Sequence, residues 1–183
     1  MIEIRPATPQ DSLAIASIQV DSYRTAYAPI LPAKYLDHFT VAEQEQDWQD
    51  WFRANTGQIL YVAVTESGEL AGYALGKRYP DELPPYDSEL VALHVRRNAQ
   101  QQGIGQRLVA AIARALKDQG CTSLFLWVLE GNPARLFYEN LGGRTVTAKP
   151  WENNSDFGTH IYEVAYGWPD IQGLLKDAHW SDQ

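Results

Sequence analysis

Hydrophobic and polar positions change their period several times along the chain, and those changes mark out its elements. From Ser88 to Val95 apolar residues alternate, with Val91, Leu93 and Val95 on one face and Leu90 and Ala92 on the other, which predicts a strand. After it, Ile104, Leu108, Ile112 and Leu116 recur four apart, the single apolar stripe of a helix running to about Lys117. Between the two lies Gln100-Gln101-Gln102-Gly103-Ile104-Gly105. Glycines carry no Cβ, so backbone there turns sharply and lets a ligand approach closely. A helix N-terminus offers unpaired N–H groups and a partial positive charge, so strand, glycine loop and helix together predict a phosphate site.

The same reading orders the rest of the chain. Ile2 and Ile4 alternate with charge as a short first strand, and Thr8-Pro9-Gln10-Asp11 has the residues of a helix start. Leu13, Ile15, Ala16, Ile18 and Val20 carry that helix toward Tyr23 and Tyr27, where Pro29 and Pro32 break it. Further helices are predicted from Pro32 through His38 and from Val41 to about Arg53. Ile59 to Val64 and Leu70 to Tyr79 read as a hairpin about Glu66-Ser67-Gly68-Glu69. The long helix ends at Gly120, Leu124 to Leu129 is a buried strand, and Ala134 to Leu141 is a short helix closed by Gly142-Gly143. Arg144 to Lys149 and Thr159 to Tyr166 form a last antiparallel pair, and Trp168 to Lys176 a final helix. A helix between two strands makes them parallel, whereas the hairpins are antiparallel, so the sheet is mixed.

Composition narrows the function. A chain of 183 residues is most simply one domain, over 1–183. Its net charge of −8 and pI of about 4.9 disfavour nucleic acid and anionic membrane as partners. One cysteine gives no disulfide framework, and there is neither a signal-like apolar start nor a membrane-length run, so a cytoplasmic protein is expected. His38, His94, His160 and His179 show no ligand spacing, so no metal site is expected.

The glycine loop fits neither familiar nucleotide fingerprint. Leu108 stands where a dinucleotide loop needs its third glycine, and Gln106-Arg107 where a Walker loop needs Lys-Ser/Thr. Gln100, Gly103 and Gly105 instead match Gln/Arg-x-x-Gly-x-Gly/Ala, and Asn132-Pro133-Ala134-Arg135-Leu136-Phe137-Tyr138-Glu139-Asn140-Leu141-Gly142 matches a second motif, Asn-x-x-Ala-x-x-x-Tyr-Glu-x-x-Gly-Phe. In both places, and in their order, the chain resembles the GNAT superfamily of N-acetyltransferases. It departs from the pattern at Gln100, where many members have arginine, and at Gly143, where they have phenylalanine; the alanine also falls one position early.

The resemblance implies a GNAT-like α/β fold, a splayed mixed sheet of about seven strands flanked by helices, with acetyl-CoA as the acyl donor. It implies that the pantetheine arm pairs with backbone at Leu93, His94 and Val95, and that the pyrophosphate meets the N–H groups of Gln100, Gln101, Gln102, Gly103, Ile104 and Gly105. Asn132, Phe137 and Tyr138 would hold the arm from the other side. A backbone N–H near Leu93 would stabilise the carbonyl oxygen. Tyr138 would be the acid that protonates the leaving thiolate, and Glu89, sharing a face with Val91, Leu93 and Val95, the base for the amine.

Plainer readings stand beside these. Tyr138 is also a good core tyrosine, Glu89 a solvated strand residue, Asn132 an N-cap and His94 a sheet residue that alternates away from Glu89. Tyr23, Tyr27, Trp48, Trp127, Trp151 and Tyr162 read mostly as core, and all of them but Trp48 are also candidates to line an acceptor pocket, Tyr23, Tyr27 and Trp127 foremost. The expected reaction is direct acetyl transfer to a small primary amine. Asp81, Glu82 and Asp87 in the loop from Pro80 to Asp87 would favour a cationic one. Transfer to a protein N-terminus or lysine, and a non-catalytic acyl-CoA-binding module, are the alternatives. Members of the family are often dimers, so a homodimer is one assembly the resemblance implies.

Overall fold

The structure, a computed structural model, describes residues 2–54, 56–79, 83 and 85–175. Among these residues seven strands, β1 (Ile2–Pro6), β2 (Ile59–Thr65), β3 (Leu70–Arg78), β4 (Ser88–Val95), β5 (Leu124–Leu129), β6 (Arg144–Pro150) and β7 (Tyr162–Trp168), follow the order β1-β2-β3-β4-β5-β7-β6. The first three pairings are antiparallel and β4 runs parallel to β5, as the helix between them requires. The helices are α1 (Ser12–Ser22), α2 (Ala33–Leu36), α3 (Val41–Ala54), α4 (Ile104–Asp118), α5 (Arg135–Asn140) and α6 (Asn154–Phe157). None of the described helices is long and apolar enough to cross a membrane. The chain forms two compact units. One comprises Met1–Ala7, Gly57–Leu126 and Gly167–Gln183, the other Thr8–Thr56 and Trp127–Tyr166.

In the first unit α4 lies on β1 to β4 through the stripe read from the sequence, and Ile104, Leu108, Ile112 and Leu116 are all fully buried. Four such side chains contribute roughly 6–12 kcal/mol of apolar burial. The sheet makes room for them at Gly76, where a Cβ would stand 2.5 Å from Ile112 Cγ2. Arg107 ties the helix to the outer strand by donating to the Ile2 carbonyl at 2.8 Å. Asp87 fixes the start of β4 against the start of β5: its carboxylate accepts from the backbone N–H and hydroxyl groups of both Thr122 and Ser123 at 2.9–3.0 Å.

The alternation expected along β4 is interrupted. Leu75 opposes Ala92 but Gly76 opposes Leu90, so Val91 is an extra, bulged residue, 41% exposed. One inserted residue exchanges the faces beyond it. Glu89 therefore shares its face with Ala92 and His94, opposite Lys77, Leu75 and Tyr73, whereas Leu90, Leu93 and Val95 share the face of Gly76. This corrects the expected grouping of Glu89 with Leu93 and Val95 and the expected turning of His94 away from it.

In the second unit Thr8 and Asp11 form the expected helix start, with the Thr8 N–H donating to Asp11 Oδ2 at 2.7 Å. Helix α1 packs on α3, where Trp48 is buried and its Nε1 donates to Gln19 Oε1 at 2.8 Å. Leu13, expected on the packed side, is exposed. The helix then widens into a π turn over Tyr23–Tyr27, and that wider turn stacks Tyr23 on Tyr27 with ring centroids 4.8 Å apart. Leu31, Leu129 and Trp151 form a buried cluster against which Tyr23, Tyr27, Tyr35, Phe157 and Ile161 pack. Tyr162, read as core, points outward at 45% exposure. Where a last helix was expected, β7 continues through Trp168 and is followed by a tight 3₁₀ turn at Ile171–Leu175.

Candidate active site

The first unit brings together Glu89, Leu93, His94, Val95 and the loop Gln100 to Gly105. The loop turns through two left-handed residues, Gln101 (φ 59°) and Gly103 (φ 75°), the first of them not glycine. A side chain at that φ is strained by about 1–2 kcal/mol. Where a Cβ on Gly103 would sit there is nothing within 4 Å, so the glycine is required by its backbone angle and faces open space. Gly105, by contrast, lies in the first turn of α4 and has no left-handed angle. Of the two glycines read as turn-makers, only Gly103 makes the turn. The first turn of α4 carries no acidic residue to compete for its N–H groups.

Gln100 braces the loop, its Nε2 donating to the Val95 carbonyl at 3.0 Å, and Gln102 donates to the Asn98 carbonyl at 3.2 Å. Leu93, His94 and Val95 are partly exposed on a strand that pairs with β5 at Glu89 and Phe125. Glu89 Oε2 lies 3.1 Å from Lys77 Nζ, which also stands 4.4 Å from the Tyr79 ring centroid. The His94 ring lies 5.2 Å from that of Tyr73, and burial pushes its pKa down to about 4, so it is neutral near neutrality. Asp81 and Glu82 lie outside the described residues. Asp87, expected to lend charge to an acceptor, is instead engaged with Thr122 and Ser123.

The second unit brings together Tyr23, Tyr27, Trp127, Asn132, Phe137 and Tyr138. Asn132 is buried and accepts the Ala134 N–H at 2.9 Å, closing a turn two residues ahead of the helix, whereas the N-cap position expected for it is taken by Ala134. Phe137 packs edge-on against Tyr138 at 5.3 Å. Tyr138 is 8% exposed, and burial lifts its pKa to about 12. Behind it stands Tyr166, fully buried, whose hydroxyl donates to Glu139 and accepts from Arg135 Nε at 3.1 Å. Both partners belong to α5, so the helix carrying Tyr138 is clamped on either side of it. Tyr27 is raised to about 12 by burial, and by the nearby Tyr138, Glu163 and Tyr35. Burial raises Tyr23 as well, again with Glu163 contributing.

Sequence reasoning did not find Lys77, Lys149, Glu163, Tyr166 or the left-handed Gln101. Glu163 and Lys149 are single charges in alternating strands, and only the register across the connection of eleven residues, 151–161, makes them a pair.

Residues 20–142 match the acetyltransferase (GNAT) family. The chain is 35% identical over 175 residues to a Bacillus subtilis (strain 168) protein described as an uncharacterized N-acetyltransferase, YuaI, covering 95% of this chain and 96% of that one. It is 29% identical over 122 residues to the ribosomal protein bS18 alanine N-acetyltransferase of Escherichia coli (strain K12), covering 65% of this chain and 78% of that enzyme. In fold it is similar to the PaiA N-acetyltransferase of Thermoplasma acidophilum, solved in complex with coenzyme A. The TM-score is 0.71 at 17% identity, over 92% of this chain and 99% of that one.

Proposed function

The chain belongs to the GNAT family of N-acetyltransferases, and from that membership we propose that it moves the acetyl group of acetyl-CoA directly to the primary amine of a small molecule. The observation that carries the cofactor reading is the left-handed turn at Gly103, open in front and followed by the N-terminus of a helix of 15 residues. Such a terminus suits a pyrophosphate, and its first turn holds no competing acid. The similar PaiA structure, which contains coenzyme A, supports the same assignment.

In this reading the backbone of Gln101 to Gly105 holds the pyrophosphate, and Leu93 to Val95 meet the pantetheine amides as an added strand would. Glu89 takes the amine proton, directly or through one water, so that the nitrogen lone pair can attack the thioester carbon. Lys77, with Nζ 3.1 Å from Oε2, holds the Glu89 carboxylate in position. As the C–S bond breaks, negative charge collects on sulfur and the Tyr138 hydroxyl donates a hydrogen bond to it. With Tyr138 at about 12 and an ordinary thiol near about 8.5, complete transfer of its proton runs uphill, so Tyr138 stabilises the thiolate mainly as a donor, and the second proton that the nitrogen sheds as the amide forms passes through water to the sulfur.

A protein N-terminus as acceptor is the second reading, favoured by the similarity to the bS18 alanine N-acetyltransferase. The test is thiol release from acetyl-CoA with a panel of small amines and, in parallel, peptides with free N-termini, with acetylated product identified by mass spectrometry. Amine-dependent release with small amines is the expected result. Tight cofactor binding without release for any acceptor would leave a binding module instead.

A further inference from the structure

Trp127 on β5, Glu163 on β7 and Lys149 on β6 lie on one face of three neighbouring strands, and the Glu130 N–H bond to the Tyr162 carbonyl at 2.9 Å sets Glu163 beside Leu129, so that Trp127 stands on the diagonal. The Trp151 N–H donates to the Ile161 carbonyl at 2.8 Å, and that antiparallel register sets Lys149 opposite Glu163, with Nζ 3.7 Å from Oε2. The same ammonium reaches across β7 to stand 4.3 Å from the Trp127 ring centroid. A cation is thus seated between a carboxylate and the face of an indole. Two residues further on come Leu129 on β5 and, just beyond the ends of β7 and β6, Ile161 and Trp151, which belong to the cluster packed against Tyr23, Tyr27 and Tyr35. The charged group therefore borders the aromatic cluster, and Tyr23, Tyr27 and Tyr35 all sense the Glu163 charge.

The two members of the ion pair are unequally held. The Lys149 side chain is 51% exposed and that of Glu163 22%. A half-exposed lysine pair is weak and screened by salt, so the ammonium can leave while the carboxylate and indole stay. We infer that Glu163 and Trp127 form a recognition site for a second ammonium group on the acceptor, and that Lys149 is the resident cation which such an acceptor displaces. This rests on the reading that the chain acetylates amines, and it names the acceptor class as diamines or amines carrying a distal cation. The tyrosines of the neighbouring cluster then border the apolar chain between the two nitrogens.

A series of equal length separates the contributions: 1,4-diaminobutane, 4-amino-1-butanol and 4-aminobutanoate share the reacting amine and differ in the far end. The wild-type protein is expected to show its lowest KM with 1,4-diaminobutane. Glu163→Gln should raise that KM about tenfold, the equivalent of one lost charged contact, and remove the preference over 4-amino-1-butanol. Lys149→Met should lower it about threefold, because the competing cation is gone; a merely structural ion pair would give the opposite sign. Calorimetric titration of 1,4-diaminobutane into the coenzyme A-loaded protein reads the site without turnover. Equal KM values for the diamine and the amino alcohol overturn the inference and leave the activity standing, as does a preference for 4-aminobutanoate that Lys149→Met abolishes. Binding of the diamine that depends on Glu163, without acetyl transfer, supports the site and overturns the activity. Neither binding nor transfer overturns both.

Discussion

Lys77 and Glu89 face each other across β3 and β4, Nζ to Oε2 at 3.1 Å, on the opposite side of the strands from α4. The bulge at Val91 decides this. Without the extra residue Glu89 would share a face with Leu93 and Val95, and the sheet would turn it toward α4.

If Glu89 takes the amine proton, Glu89→Gln should lower kcat by about 10²-fold or more, with little change in affinity for acetyl-CoA. Lys77→Met should cost less, since it removes the partner of the base and keeps the carboxylate. Single-turnover acetyl transfer measures both. Equal rates in Glu89→Gln and wild type would leave Glu89 a structural partner of Lys77.

At Gly103 the constraint is conformational, because a Cβ there would meet nothing within 4 Å while φ is 75°. Gly103→Val places a β-branched residue where the left-handed angle is least tolerated, and its side chain enters the space in front of α4. The affinity for coenzyme A should fall at least tenfold in calorimetry. Gly105→Ala, inside the helix and at an ordinary angle, should keep its fold and lose less affinity. The same loss in both would show that space in front of the helix, and not the turn, is what matters.

Asp87 gives a stability prediction with a defined pH direction. Burial alone would raise its pKa, but the hydrogen bonds from Thr122 and Ser123 outweigh that and hold it below the usual value of 3.8. A carboxylate depressed in the folded state stabilises the protein above its unfolded pKa and stops doing so as pH falls through the folded one. Asp87→Ala should therefore cost about 1–3 kcal/mol at pH 7, and the gap to wild type should shrink as pH falls below the ordinary carboxylate value of 3.8 and through the lower folded one. Denaturant titrations of both proteins at pH 7 and at pH 3 measure it. A gap that persists in acid would assign the effect to packing.

Much of this architecture is legible from periodicity. The stripe Ile104, Leu108, Ile112 and Leu116 is buried as its spacing requires, and the hairpins and the order of elements follow the changes of period. What escapes is whatever depends on register between strands. The bulge at Val91 leaves the alternation of the sequence intact and exists only relative to β3, so the partners of Glu89 could not be read. Lys149 and Glu163 meet because the loop between β6 and β7 fixes which residues face each other. The π turn that stacks Tyr23 on Tyr27 escapes for another reason, since nothing in their composition separates it from an α-turn. Acidity of buried phenols escapes too, because it is set by burial.

That acidity governs the last prediction. Tyr138 is nearly enclosed, its pKa is raised to about 12, and Tyr166 with Arg135 and Glu139 clamps the helix that carries it. A phenol this weak in acidity remains protonated throughout the neutral range, so it is always ready to donate, but it gives up its proton less readily than an unperturbed tyrosine. If Tyr138 meets the leaving sulfur, its contribution is a hydrogen bond to a charged atom, worth about 1.5–3 kcal/mol, which is roughly 10–150-fold in rate. Tyr138→Phe keeps the ring, its packing on Phe137 and the fold, so coenzyme A affinity should change little while the single-turnover rate falls by that factor. The wild-type rate should show no basic limb from Tyr138 below about pH 11, because a group at about 12 is still protonated there. Tyr166→Phe separates the clamp from the donor: it should lower the rate less than Tyr138→Phe and leave the shape of the pH profile unchanged. A Tyr138→Phe protein with the wild-type single-turnover rate would return this tyrosine to the core.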